Sequence, residues 1–188
     1  MKPKPKFDYP ITELLQKRWS PRAFSSQPLT EEQVLTLFEA ARWAASCNNE
    51  QPWRFIWSLK DDSEKYQKLL DCLKPGNREW AVNAPFLMVT LVQTNFDTGK
   101  KNKWARHDLG LAMGNLTAQA TSMDLYVHNM AGFVADKVSE YFDLPEGIKP
   151  VTMVVIGYMG ELSSLSEHNQ TRELEPRIRK PLKELFLK

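Results

Sequence analysis

Cysteine is nearly missing from this chain: Cys47 and Cys72 are the only two among 188 residues. Two thiols without CxxC spacing make no disulfide framework, and the simplest setting for them is a reducing one, which places the protein in the cytoplasm. An excess of one charge is missing too. Lys and Arg number 25 against 23 Asp and Glu, net +2, without the clustered basic surplus of a nucleic-acid binder. No hydrophobic run is long. The longest, 85–92, falls far short of the roughly 20 residues a membrane span needs, and MKPKPKF at the start is basic but lacks the apolar stretch of a secretory signal. A GxGxxG after the first strand and strict β-α-β alternation are both absent, which argues against a Rossmann fold. His107, His128 and His168 have no partners at ligand spacing, so no metal is expected. Aromatics, by contrast, are plentiful: six Trp and nine Phe supply buried area and the walls of flat pockets.

The hydrophobic pattern reads as one domain over 1–188, with 1–8 flexible. Ile11, Leu14, Leu15 and Arg18 share a helical face, and Pro21 leaves 18–26 as a loop. Thr30 and Gln33 form a T-x-x-Q capping box that opens a helix with Val34, Leu35, Leu37, Phe38, Ala41, Ala44 and Ala45 as its apolar face. Strands are expected at 54–59, 85–93, 125–128 and 150–158, the second apolar enough to be buried on both faces. Helices are expected at 63–73, ended by Pro75-Gly76-Asn77, and at 104–123 and 135–142. Segment 95–103 reads as a short polar loop and 163–175 as another. Leu182, Leu185, Phe186 and Leu187 require the last residues to dock on something. The interleaving implies an α+β fold, a mixed sheet covered by helices.

Two features carry chemistry. Arg18, Ser20 and Arg22 alternate, so an extended loop aims all three one way, and Arg177 and Arg179 repeat the device near the other end. Brought together, such guanidinium forks bind a phosphate; kept apart, they are solvated surface arginines. The second feature is Asn48-Asn49-Glu50-Gln51 ahead of Pro52-Trp53. Side chains that both donate and accept suit a flat, polar-edged ligand, and an isoalloxazine ring has such an edge. Other candidates are weaker. His107 and Asp108 are adjacent on a helix and point apart, which disfavours a dyad. Cys47 follows a helix end, where the dipole opposes a thiolate. Trp53, Trp57 and Trp80 read as core, and Trp43 and Trp104 as candidates for a substrate wall.

The segments RWSPRAF, CNNEQPWRFI, GNREWAVNAPFLMV, HDLGLAMGNLTAQAT, VHNMAGF, VVIGYMGE and PRIRKPLKELF, in that order from about Leu14 to the C terminus, resemble the FMN-dependent nitroreductase family. The resemblance implies a largely antiparallel sheet in an intertwined homodimer, with FMN at the interface and 161–188 docking on the partner. It implies that Arg18, Ser20 and Arg22, with Trp19 among them, meet the phosphate, ribityl chain and pyrimidine edge, and that Arg177 and Arg179 close over the phosphate. Ser46, Cys47 and Asn49 would come from the partner, beneath the ring. Asn77 would reach the pyrimidine or ribityl groups, and the backbone at Met130, Ala131 and Gly132 the N5–O4 edge. Cys47, Asp124 and Ala131 depart from residues common in the family.

The implied reaction is reduction by NADH or NADPH of nitroaromatics, quinones or similar small electrophiles through flavin N5, with Arg22 stabilising negative charge on the ring electrostatically. Reductive dehalogenation or enone reduction on the same scaffold, and a flavin carrier without turnover, are the alternatives. The short 95–103 loop favours a small open pocket and a generalist reductase.

Overall fold

The computed structural model describes residues 5–187. Residues 1–4 of the segment expected to be flexible, and Lys188 of the docking segment, lie outside the described residues.

Four strands, β1 (Trp53–Leu59), β2 (Phe86–Gln93), β3 (Tyr126–Met130) and β4 (Ile148–Gly157), form one sheet in the order β1-β2-β4-β3. All three ladders are antiparallel, so the sheet expected to be mixed has no parallel pair among its described strands. Strand β2 is central and buried along nearly its whole length, which is why its sequence is continuously apolar. A register shift between Thr90 and Leu91 interrupts the β2–β4 ladder, where the Thr90 and Thr152 hydroxyls face each other at 2.8 Å.

Helices cover both faces. On one, α2 (Glu31–Arg42) and α5 (Ala105–Ser122) bury Val34, Leu37, Ala41, Leu109, Ala112, Leu116 and Ala120 against Phe86, Met88 and Val154. The capping box opens α2: the Thr30 hydroxyl accepts the Gln33 N–H at 3.2 Å, and the Gln33 side chain accepts the Thr30 N–H at 3.0 Å. On the other face, α3 (Ser63–Asp71), α4 (Pro75–Ala81) and α6 (Ala135–Tyr141) bury Leu69, Leu70, Trp80, Ala81 and Val138 against Leu87, Val89 and Val155. Trp53 and Trp80 are core residues, whereas Trp43 and Trp104 are 73% and 56% exposed.

Two expectations need correction. Pro75-Gly76-Asn77 does not only stop α3; Pro75 starts α4, since a first-turn residue needs no N–H donor and proline's φ is preset for the turn. Segment 163–175 is not a loop: it holds a 3-10 turn, Leu162–Ser164, and α7 (Glu167–Leu174). The buried residues of α7 are Asn169 and Glu173, so it carries no apolar stripe to betray it.

The short α1 (Glu13–Lys17) buries none of its residues, and Leu15 is 54% exposed. Asp124, after α5, takes the left-handed conformation at φ 59 and pairs with Lys17. At the C-terminal end, Ile178, Leu185, Phe186 and Leu187 are exposed and find no docking surface on their own chain.

Candidate functional site

The two arginine loops meet. Arg177, just beyond α7, donates from Nη1 to the Arg18 carbonyl at 2.7 Å and from Nη2 to the Gln16 carbonyl at 2.9 Å, closing a sequence gap of 159 residues. Alternation along 18–20 works as the sequence implies. Arg18 and Ser20 line a groove of about 360 Å³ floored by Gly110, Gly114 and Thr117 of α5 and bounded by Asn129 of β3. Trp19 turns the other way, edge-on to Tyr126 at 6.0 Å. The His128 ring, tilted against Trp80 at 4.6 Å between centroids, bonds the Pro21 carbonyl from Nδ1 at 2.7 Å, which fixes the loop beside β3.

Burial lowers the Arg18 guanidinium below its ordinary pKa, and the neighbouring Arg179 and Arg177 charges lower it further. Arg177 is lowered by burial and by Arg179. Among the described residues none of the three has a carboxylate at salt-bridge distance. Guanidinium does not give up its proton in proteins, so three positive charges crowd together without compensation.

Arg22 is placed differently. It does not line the groove but faces α7, where the Glu173 carboxylate, 4% exposed, accepts the Arg22 backbone N–H at 3.0 and 3.1 Å and lies 3.8 Å from Nη1. Burial and Arg172 lower the Arg22 pKa while Glu173 and Glu175 oppose them. Arg22 is therefore compensated by Glu173 and stands off the groove. Sequence reasoning missed Glu173 because it lay in a segment read as loop.

Beyond β3, the Ala131 and Gly132 N–H groups have no hydrogen-bond acceptor among the described residues. The Gly132 carbonyl is held by the Lys74 N–H at 3.0 Å and by Asn77 Nδ2 at 3.1 Å. A Cβ on Gly132 would lie 2.6 Å from Asn77 Nδ2. Because Nδ2 is the end of a side chain that can swing, Gly132→Ala is expected to cost about 1 kcal/mol, one hydrogen bond, and to lower the urea unfolding midpoint by about 0.3–1 M.

Ser46, Cys47 and Asn49 do not line the groove within one chain. They occupy a 3-10 turn, Cys47–Asn49, after α2, in which Asn48, Asn49 and Gln51 all have positive φ of 49–56°. Each non-glycine residue held there costs about 1–3 kcal/mol, and Asn is enriched in that region because its short amide bonds locally. The amide-rich run is thus first a requirement of the backbone. Side-chain contacts hold it: the Ser46 hydroxyl accepts the Gln51 N–H at 2.9 Å, Gln51 Nε2 donates to the Asn49 carbonyl at 3.0 Å, Arg54 Nη1 donates to the Gln51 carbonyl at 2.9 Å, the Glu50 carboxylate accepts the Asp97 N–H, and Asp108 Oδ2 accepts the Cys47 N–H at 3.1 Å. Asp108, dismissed as half of a dyad with His107, is an anchor for this turn. Cys72, the other thiol, is buried, and desolvation pushes its pKa up to about 11.

These residues fit FMN. A phosphate monoester is the counter-charge that the arginine cluster lacks, and two of its oxygens at a time match the paired N–H groups of a planar guanidinium. The two unpaired N–H groups at Ala131 and Gly132, where a larger residue would crowd Asn77, suit the acceptor edge of a ring.

Comparison with known proteins agrees. The sequence model of the Nitroreductase family matches residues 15–74 and 67–158. A Ralstonia nicotianae protein named "Putative NADH dehydrogenase/NAD(P)H nitroreductase" is 25% identical over 189 residues, covering 90% of this chain and 95% of its own. A solved structure described as an oxidoreductase containing FMN is 35% identical and superposes with a TM-score of 0.91, covering 97% of this chain and 93% of its own. A nitroreductase family protein from Clostridium difficile 630 shares the fold at a TM-score of 0.73 and 22% identity, covering 95% and 98%.

Proposed function

The chain belongs to the nitroreductase family, and from that membership we propose that it is an NAD(P)H-dependent flavin oxidoreductase that holds FMN and reduces small electrophiles, nitroaromatics and quinones among them. The observation that carries this reading is the closure of Arg177 onto the Arg18 carbonyl, which brings three uncompensated guanidiniums from the two ends of the chain close together, Arg18 lining the groove on α5 and Arg177 an adjoining one beside Trp19. When bound, FMN would supply the redox chemistry, hydride transfer between a reduced nicotinamide and the electron acceptor.

The chain's own residues bind and orient. Arg18, Arg177 and Arg179 hold the phosphate, with Ser20 as a small hydroxyl donor beside them. The Ala131 and Gly132 N–H groups and Asn77 meet the polar edge of the ring. Arg22, moderated by Glu173, provides positive potential near the pyrimidine. No side chain is needed as an acid or base, since solvent supplies protons. The Asn95–Lys101 bridge folds the loop before α5 into a short hairpin rather than a lid, which suits a generalist acceptor pocket.

We place two copies around two such sites. Ser46, Cys47 and Asn49 lie off the groove of their own chain, and Leu15, Trp104, Leu111 and the apolar end of 178–187 are uncovered. A second copy supplies the missing wall and covers those residues. The two unpaired cysteines support a cytoplasmic location; among the described residues no helix is long and apolar enough to cross a membrane.

Stopped-flow mixing of the yellow protein with NADH and NADPH tests the reading: flavin absorbance is expected to bleach with at least one donor and return on adding a nitroaromatic or quinone. No bleaching with either donor rules out the reductase. Mass measurement in solution is expected to give a dimer, and removal of residues 181–188 to lower both dimer and bound FMN. A monomer that still retains FMN would contradict the shared site.

A further inference from the structure

We propose that Asp108 is a positioning residue for the flavin pocket: through its hydrogen bond to the Cys47 N–H it holds the left-handed turn of Ser46–Gln51 in the shape that forms the wall of the partner's site. The proposal rests on the flavin reading above and adds a residue to it.

Asp108 is 2% exposed and sits in the first turn of α5. Among the described residues no Lys, Arg or His lies within salt-bridge distance, and the Cys47 N–H is the one donor to its carboxylate, at 3.1 Å. A buried carboxylate without a cation is kept only where its acceptor capacity is used or where the helix N-terminus favours its charge. What it holds is a segment with positive φ at Asn48, Asn49 and Gln51, a conformation that persists only when its surroundings impose it. The other ties are placed differently. Ser46–Gln51 and Gln51–Asn49 close the turn on itself, and Glu50–Asp97 links it to another loop. Asp108 alone connects it to α5, the helix whose Gly110 and Gly114 floor the groove. One helix thus carries both the floor of its own site and the anchor for the turn that lines the other.

The claim is that the acceptor, and not the charge, does this. Asp108→Asn keeps an acceptor oxygen of the same shape, while Asp108→Ala removes it. Cys47→Pro removes the donor instead, at a place where Ser46 already has the extended backbone (φ −146, ψ 157) that a residue before proline adopts.

Two readouts are used: hydrogen exchange of amides 47–51 in the FMN-free protein, and FMN affinity by titration. Asp108→Ala and Cys47→Pro are each expected to speed exchange and weaken FMN at least 10-fold, and the double variant to be no worse than either, because both remove one bond. Asp108→Asn is expected to stay within about 3-fold of the original in both readouts. Faster exchange with unchanged FMN affinity would make Asp108 merely structural and overturn the proposal. An Asp108→Asn protein as impaired as Asp108→Ala would assign the effect to charge and also overturn it. If Asp108→Ala does not fold, the Cys47→Pro and Asp108→Asn pair decides by the same criteria. Failure of the flavin reading looks different: no protein, the unsubstituted one included, would take up FMN.

Discussion

Replacing Arg18 and Arg179 together by Ala is expected to strip FMN from the protein on gel filtration. In the proposed clamp each guanidinium would make charge-assisted bonds to the phosphate worth about 1.5–3 kcal/mol. Losing both therefore weakens binding by about 3–6 kcal/mol, on the order of 10²- to 10⁴-fold. The pair is chosen because Arg177 also holds the Gln16 and Arg18 carbonyls, so its removal would loosen the loop itself. Arg18 and Arg179 have no such structural bond to a distant segment; the one hydrogen bond of the Arg179 side chain goes to the adjacent Ile178 carbonyl. Without FMN the double variant should be no less stable than the original, since it removes charges that repel one another. Arg177→Ala should lose stability in the FMN-free protein as well as FMN. Full retention of the yellow cofactor by the double variant would show that the cluster is not the phosphate clamp.

Gly160→Ala should be the most destabilising small change in the clamp's support. A Cβ there would lie 2.4 Å from the Phe24 carbonyl carbon, 2.5 Å from its oxygen and 2.8 Å from the Ser25 nitrogen. These are backbone atoms and cannot swing aside. The bridge between Phe24 and Met159 must open, with loss of the Gly160 N–H bond to the Ala23 carbonyl at 2.9 Å and the Ser25 N–H bond to the Tyr158 carbonyl at 3.0 Å. Phe24, 3% exposed and stacked on Trp80, is displaced with it. Two backbone hydrogen bonds and a disturbed aromatic contact together come to about 3–4 kcal/mol, or roughly 10 °C in melting temperature. Gly76→Ala, where nothing lies within 4 Å of the added carbon, is the control and should melt no lower than the original. Both are measured on FMN-free protein, so the result does not depend on cofactor binding. Equal melting of Gly160→Ala and the original would mean that the 23–25 segment is not pinned there.

The two changes differ in what they touch, and that difference reaches the site. In the proposed clamp Arg18 and Ser20 would act on the ligand alone, while Gly160, His128 and Glu173 hold the loop that presents them and Arg177 holds that loop besides facing the phosphate. A clamp held at four points loses little shape when one contact to the ligand is removed. It loses all its ligand contacts together when its own backbone moves.

What the sequence alone determined is whatever depends on near neighbours. The α2 capping box spans four residues, and its two reciprocal bonds form as the spacing requires. Strand β2 is legible because burial on both faces leaves no position for a polar side chain except the paired Thr90 and the half-buried last residue, Gln93. The opposite aims of Arg18 and Trp19 follow from the two-residue period of extended chain. What only the tertiary structure decided joins residues far apart or hides behind a polar surface. Helix α7 buries Asn169 and Glu173, so no hydrophobic period could reveal it. Pro75 reads equally as a stop and as a first turn until the segment after it has packed. The Asn48–Gln51 run reads as an edge for a ligand because side-chain chemistry is written in the sequence, whereas its left-handed backbone is held by contacts that include Asp108, some 60 residues away. Arg177 is paired to the Arg18 carbonyl across 159 residues by the same kind of contact. Local periodicity encodes which way a side chain points, but the partner it finds is set by chain closure, and no pattern along the sequence records that.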